Sequence, residues 1–424
     1  MAAQADVIPK DEKPFPVRWP LVVIMGLAFG LRLVYCLAIF PPVLQQRGVE
    51  LGWVADGRLA ADPYDRIAQN VVAGRGYIDD TGRTNYERLP LYVSFLVLIY
   101  KFWGFELWKV QVLQSALDTI TCFLIYFLSW KVFRRKPVAL LAASCYAVYF
   151  KMIAVVAKPT TETLYTLALT AFLALWIASF QKNRWAFPAG ISLGLLTLCK
   201  PITLIFPLVA AGVYYLKGKP FRLKKLVLFL SGFMICVLPL FVRNYIRETR
   251  VFFSTGGGKM LYMGTVIDYS GNFRKEEQRL IKDIKAKYAF PYRVEDDNAL
   301  RNLAVRNIVR DPWGYLRRVA TRIYLFWTYP DYSTPMMALK SLLVLGFNLL
   351  LLLLAFWGIL LARKRGLSVA PFLGIFLYIY LAHALIYAYS RYSLPLFPMI
   401  FMFSSYGIVR LWEMGRAKSR VKPG

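Results

Sequence analysis

Ten apolar runs fenced by Lys and Arg constrain this chain more than any other feature. They cover 19–40, 107–130, 138–156, 164–180, 186–198, 202–216, 226–242, 336–361, 369–389 and 394–411. A helix needs about 20 apolar residues to cross the hydrocarbon of a bilayer. In lipid the backbone has to close its own hydrogen bonds, which leaves helices as the spanning element for such runs. The expected fold class is therefore an all-α polytopic membrane protein with about ten transmembrane helices and juxtamembrane helices on the outer side. Composition agrees, with 58% apolar and only 18% charged residues, against about 45–50% and about 25% in soluble chains. The same figures exclude disorder, collagen and coiled coil. No small-residue cleavage site follows the first run, so it reads as a retained anchor.

Charge sets the orientation. Lys and Arg number 53 against 24 Asp and Glu, a formal +29. In a soluble protein that excess would suggest nucleic acid. Here the cations flank apolar runs, where topology and anionic headgroups account for them, and no nucleic-acid partner is expected. The basic clusters 131–136, 182–184, 217–225, 363–365 and 416–422 fall on one side only if an eleventh, shorter run at 89–103 does not span. The reading is ten spans, both ends cytosolic, and 89–103 at the outer interface. The chain then divides into a cytosolic tail (1–18), a transmembrane module (19–244) with an outer loop (41–107), an outer amphipathic segment (245–335), and C-terminal helices with a basic tail (336–424). In the amphipathic segment Leu280, Ile281, Ile284 and Tyr288 share a helical face, as do Leu300, Leu303, Ala304 and Ile308 before Pro312. Residues 313–327 set Leu316, Val319, Ile323 and Trp327 opposite Arg317, Arg318 and Arg322, the pattern of a helix lying in the membrane surface. The five cysteines all sit in apolar runs without a CxxC, so neither disulfides nor a zinc site are expected.

Two constellations could carry chemistry. The first is acidic. Asp56 and Asp62 lie in the first outer loop, where a carboxylate can take the proton of an acceptor hydroxyl or amine. Asp62 precedes Pro63 and can equally be a helix N-cap; capping does not explain Asp56. The second is cationic. Outer hairpin ends carry Lys158, Lys200, Arg243 (before Asn244) and Arg391 (before Tyr392), and Arg88 stands in the first loop before Pro90. Snorkelling to headgroups would serve for any one of them. Five at one depth, where the positive-inside bias disfavours them, suit a phosphate. Lys151 is an intramembrane charge and a candidate by its cost alone. His383, the single histidine, can be a structural hydrogen-bonder or part of the site. Glu162 can pair with nearby Lys158. The run Ser254-Thr255-Gly256-Gly257-Gly258-Lys259 lacks the Ser or Thr that a nucleotide loop needs after its lysine. It is either an ordinary turn or a set of backbone N–H groups facing a phosphate.

These residues resemble the GT-C superfamily of polytopic glycosyltransferases, and within it the bacterial branch similar to dolichyl-phosphate-mannose protein mannosyltransferases and the lipid A aminoarabinose transferase. The resemblance rests on Tyr64-Asp65-Arg66-Ile67-Ala68 followed by Gly74-Arg75-Gly76-Tyr77. It continues through Arg88-Leu89-Pro90-Leu91-Tyr92, Thr161-Glu162-Thr163-Leu164, Lys200-Pro201 and Pro239 to Asn244, and ends with Arg391-Tyr392-x-Leu394-Pro395. Each motif is weak alone; their order along one membrane face gives the match its specificity. Ala60 stands where many relatives place an aspartate, so the base is Asp62 or Asp56. Val93 and Leu240 replace a common proline and tryptophan.

The resemblance implies a GT-C fold, an inverting sugar transfer from a polyprenyl-phosphate donor, and a multi-pass protein of the bacterial inner membrane with its site facing the periplasm. Membrane lipid is a partner and the acceptor is unnamed. No resident metal is assigned, and a divalent cation is left open. Arg243, Arg391, Lys200, Lys158 and Arg88 would hold the donor phosphate. Tyr64, Tyr92, Lys151, Glu162, Asn244, His383 and Tyr392 would line the site. The alternative is a flippase or transporter of a lipid-linked sugar, whose signature would be charges along a whole transmembrane path. Here they gather at one depth.

Overall fold

A computed structural model describes residues 19–41, 54–55, 58–59, 63–79, 81–217, 223–267, 273–288, 293–328 and 339–420. Apart from a two-residue hairpin (β1, Val54–Ala55; β2, Arg58–Leu59) these residues build helices. The first half contains α1 (Trp19–Val34, continued as a π-helical turn Tyr35–Ile39), α2 (Tyr64–Val72), α3 (Pro90–Trp103), α4 (Leu107–Phe133), α5 (Lys136–Val148), α6 (Phe150–Val155), α7 (Glu162–Gln181), α8 (Ala186–Cys199), α9 (Phe206–Lys217) and α10 (Leu223–Glu248). The outer segment contains α11 (Gly257–Val266), α12 (Phe273–Lys287), α13 (Val294–Arg310) and α14 (Pro312–Leu325). α15 (Leu339–Lys364), α16 (Ala370–Ile386) and α17 (Phe397–Arg420) follow.

Six helical stretches among these residues are long and apolar enough to cross a membrane: Trp19–Ile39, Leu107–Phe133, Glu162–Gln181, Leu223–Glu248, Leu342–Lys364 and Ser390–Arg416. Shorter apolar helices at Pro90–Trp103, Lys136–Val148, Phe206–Leu216 and Ala370–Ile386 accompany them. Burial separates inside from outside. The apolar window of Ser390–Arg416 is 83% buried, whereas those of Trp19–Ile39 and Leu342–Lys364 are 17% and 22% buried. Leucines such as Leu343 and Leu353 on α15 stand bare. Apolar surface on that scale belongs against lipid. α3 and α8 have 14 residues each, about 21 Å at 1.5 Å per residue, short of the roughly 30 Å hydrocarbon core.

Close helix contacts use small residues. A Cβ on Gly190 of α8 would overlap the Phe229 carbonyl of α10, and one on Gly232 of α10 would overlap the Phe187 carbonyl of α8. Lipid tails give helices no hydrophobic drive toward each other, so tight van der Waals approach supplies much of the cohesion. A buried ion pair adds to it near the first helix. Arg32 of α1 pairs with Asp118 of α4, and its Nη1 also donates to the carbonyls of Ala28 (2.8 Å) and Ala147 (3.0 Å). The Tyr146 hydroxyl donates to the other Asp118 oxygen.

Three local expectations change. The run 138–156 is not one helix: Tyr149, with extended backbone (φ −71, ψ 112), separates α5 from α6. The Tyr149 hydroxyl donates to Asn348 Oδ1 (2.9 Å) and the Lys151 ammonium to the Thr328 carbonyl (2.9 Å). α10 runs on past Asn244 to Glu248. In α14 Val319 is buried, as is Trp327 just beyond it, but one arginine departs from the hydrophobic pattern. Arg322 is fully buried and donates to the carbonyls of Ala384 (2.7 Å) and Gly264, whereas Leu316 and Ile323 are exposed. The carbonyls at the end of α16 draw this arginine to the packed side, because buried carbonyls need donors. α12 and α13 do bury the expected faces, through Ile284, Leu300 and Ala304.

Candidate functional site

Helix ends meet around one carboxylate. Glu162 opens α7, where the helix dipole favours a negative charge, and it is 2% exposed. Lys200 closes α8 with the extended backbone (φ −142, ψ 129) that a residue before proline adopts. Arg391 lies in the 3₁₀ turn Ser390–Leu396 that leads into α17. Lys200 Nζ reaches Glu162 Oε1 at 3.1 Å, and Arg391 Nε faces the same oxygen at 3.5 Å. One carboxylate thus faces two cations. Its partners are Lys200 and Arg391, not the Lys158 that sequence proximity suggested.

Aromatic rings hold the two cations in place. Lys200 Nζ lies 4.8 Å from the Tyr392 ring centre and 5.3 Å from that of Tyr165. The Arg391 guanidinium lies 5.2 Å from the Tyr389 ring and 5.6 Å from the Tyr392 ring. His383 stacks on Tyr392 at 4.4 Å. Such contacts fix a cation at modest energetic gain.

The first outer loop leads to the same end of the bundle. The Arg88 guanidinium lies 5.2 Å from the Tyr64 ring, and Tyr64 meets Tyr92 edge-on at 5.2 Å. The Tyr92 hydroxyl donates to Gln114 Oε1 (2.9 Å), and Gln114 Nε2 donates to the carbonyls of Val156 (2.8 Å) and Lys158 (2.9 Å). Arg243 is held by Asn244 Oδ1 at 2.7 and 3.0 Å and lies over the rings of Tyr77 (5.7 Å) and Tyr86 (5.5 Å). Asn244 is itself fixed by the carbonyls of Phe252 (2.9 Å) and Phe253 (3.0 Å). Burial raises the Tyr77 phenol above its ordinary range despite the nearby Arg243 and Arg88. Tyr86 is pushed up to about 12 by burial and by its hydrogen bond to Glu248. Both phenols therefore stay neutral, and the Tyr77 hydroxyl donates to the Arg88 carbonyl at 2.9 Å.

Other expectations fall elsewhere. Asp56 and Asp62 lie outside the described residues. Lys151 has its ammonium on the Thr328 carbonyl and not on Glu162. In the glycine run, Gly256 (φ 92) packs so that a Cβ would press on Glu87, and the Lys259 backbone N–H donates to Asp297 Oδ1 (3.1 Å). Among the described residues no three His, Cys, Asp or Glu side chains converge as metal ligands would.

Sequence reasoning missed two acids. Glu87 pairs with Lys259 and lies 3.4 Å from Arg88 Nη1, tying the first loop to α11. Glu277 accepts from the hydroxyls of Tyr387 and Tyr389, tying α12 to the turn that carries Arg391. Glu277 was within reach of pattern reading. It lies three, four and seven residues before Leu280, Ile281 and Ile284, on the face that α12 buries.

Residues 88–245 match the family model described as dolichyl-phosphate-mannose-protein mannosyltransferase. No curated protein matches the chain in sequence. Among solved structures, the apo oligosaccharyltransferase of Archaeoglobus fulgidus superposes with a TM-score of 0.55 at 13% identity, over 95% of this chain and 52% of that one. The same archaeal enzyme, AglB, in complex with an inhibitory peptide and a dolichol-phosphate, superposes with a TM-score of 0.51 at 14% identity, over 96% of this chain and 52% of that one. The chain thus spans about half the length of these structures. ArnT from Cupriavidus metallidurans bound to undecaprenyl phosphate superposes with a TM-score of 0.41 at 15% identity, over 92% of this chain and 78% of that one.

Proposed function

We propose that this chain, which has the GT-C fold of polytopic membrane glycosyltransferases, is an inverting glycosyltransferase that moves a sugar from a polyprenyl-phosphate donor to a lipid, glycan or protein acceptor at the outer face of the membrane. One observation carries the reading: Lys200 and Arg391 meet on Glu162 where helix ends and tyrosine rings converge. The leaving group of such a transfer is a phosphate, and cations fixed beforehand at its oxygens stabilise the charge that develops as the bond breaks. The match of residues 88–245 to the mannosyltransferase model supports the reading, as does the dolichol-phosphate held by a protein of similar fold.

In this reading the isoprenoid tail lies between helices. The phosphate rests on Lys200, Arg391 and Arg243, with Lys158 and Arg88 alongside, and Tyr64, Tyr92 and Tyr392 line the sugar cavity. The acceptor oxygen or nitrogen attacks the anomeric carbon from the side opposite the phosphate. The sugar–phosphate C–O bond breaks, polyprenyl phosphate leaves, and the acceptor proton passes to Asp62 or Asp56. Both termini lie in the cytosol of a bacterial cell and the site faces the periplasm.

The test is reconstitution of the purified protein with synthetic polyprenyl-phosphate sugars and a cell-envelope extract as acceptor source. Release of polyprenyl phosphate coupled to a glycosylated product is expected, and its loss in Arg391→Ala. Translocation of the intact donor without cleavage would overturn the assignment in favour of a flippase.

A further inference from the structure

The far end of the bundle carries a cavity that sugar transfer does not use. α4 has 27 residues, about 40 Å at 1.5 Å per residue, so Phe133 at its end stands well away from Gln114 and the Glu162 cluster. Here a cavity of about 410 Å³ is lined by Phe133, Arg134, Arg135, Arg365, Leu367 and Tyr406. The rings of Phe133 and Tyr406 stack at 4.5 Å and form an apolar wall. The positive-inside reading puts this end in the cytosol.

Three guanidinium groups converge on this cavity, and their partners are unequal. Arg135 is paired with Glu413, which also holds Arg410 at 2.6 Å. Arg134 and Arg365 have no acidic partner among the described residues. Arg134 adopts a left-handed backbone (φ 52) as it caps α4, a conformation costly for a residue with a Cβ. Its Nε is buried without a hydrogen bond, as is the hydroxyl of Ser368, which adjoins Leu367. Topology alone accounts for cations on these turns. It does not account for their convergence on one cavity, nor for buried donors left without an acceptor.

We propose that this cavity binds a phosphate group, with Arg134 and Arg365 donating charge-assisted hydrogen bonds to its oxygens. Guanidinium forks match phosphate geometry, and two without carboxylate partners are ready to take it. The stacked Phe133 and Tyr406 rings offer apolar surface to whatever the phosphate is attached to. Two sources present this chemistry at the site: the headgroup of an anionic phospholipid in the adjacent leaflet, and a soluble phosphate.

Two arms separate the sources, both on the full-length purified protein. In the first, detergent-solubilised protein is offered phosphatidylglycerol or phosphatidylcholine and retained lipid is counted by native mass spectrometry. In the second, lipid-stripped protein is titrated with inorganic phosphate and its unfolding temperature followed. The variants are Arg134→Gln and Arg365→Gln; the second changes an exposed turn residue and leaves the packed helices untouched. Retention of one phosphatidylglycerol but no phosphatidylcholine, weakened at least about tenfold in both variants, assigns a lipid headgroup. A phosphate-dependent rise in unfolding temperature that both variants lose assigns a soluble ligand. Wild-type behaviour of Arg365→Gln in both arms overturns the proposal.

Discussion

Lys200 and Glu162, 38 residues apart, meet at 3.1 Å where the end of α8 faces the start of α7. The carboxylate is buried, and Arg391 shares its Oε1. Removing it takes away the carboxylate that Lys200 and Arg391 share. Glu162→Ala is expected to cost about 3–5 kcal/mol, the range for breaking a buried ion pair. Thermal unfolding in detergent measures this, and an unchanged midpoint would mean that Glu162 does not hold the cluster.

Arg391→Ala removes a charge-assisted hydrogen bond to the donor, of order 1.5–3 kcal/mol. Donor affinity should fall by about ten- to a hundredfold. Equal affinity of wild type and variant for a polyprenyl-phosphate sugar, measured by calorimetry, would remove Arg391 from the phosphate site.

Asp62 and Asp56 are told apart by asparagine. Asparagine caps a helix about as well as aspartate but cannot take the acceptor's proton. The variant at the true base should keep donor binding and lose roughly 10²–10⁴-fold in turnover. Near-normal turnover in both Asp62→Asn and Asp56→Asn would rule out a first-loop base.

Arg32 and Asp118 form a pair that either single change should damage more than both together. Arg32→Met and Asp118→Leu each leave a buried charge alone and should cost about 3–5 kcal/mol. The double variant should recover much of that loss, because no uncompensated charge remains. Additive losses in the cycle would show that the two residues act independently.

Topology is checked with single cysteines at two exposed positions, Arg363→Cys and Arg250→Cys. A membrane-impermeant maleimide should label Arg250→Cys from outside the cell and Arg363→Cys only after permeabilisation. Labelling of both from one side would refute the ten-span orientation.

The sequence by itself determined the solvent and the class of fold. Runs near 20 apolar residues can satisfy their backbone in lipid only as helices, and that holds whatever the neighbours are. It also put cations at the end of α8, in the last turns of α10 and before α17, because a charge beside Pro201 or at the end of an apolar run is visible locally. Tertiary structure alone decided which charge meets which. Glu162 pairs with Lys200 and Arg391 instead of Lys158 because hairpin ends far apart in the chain are stacked at one depth. Glu87 meets Lys259 across 172 residues. Arg322 is buried, against the hydrophobic pattern of α14, because the carbonyls ending α16 require donors. Pairing energies depend on distance and desolvation, which periodicity along the chain does not encode.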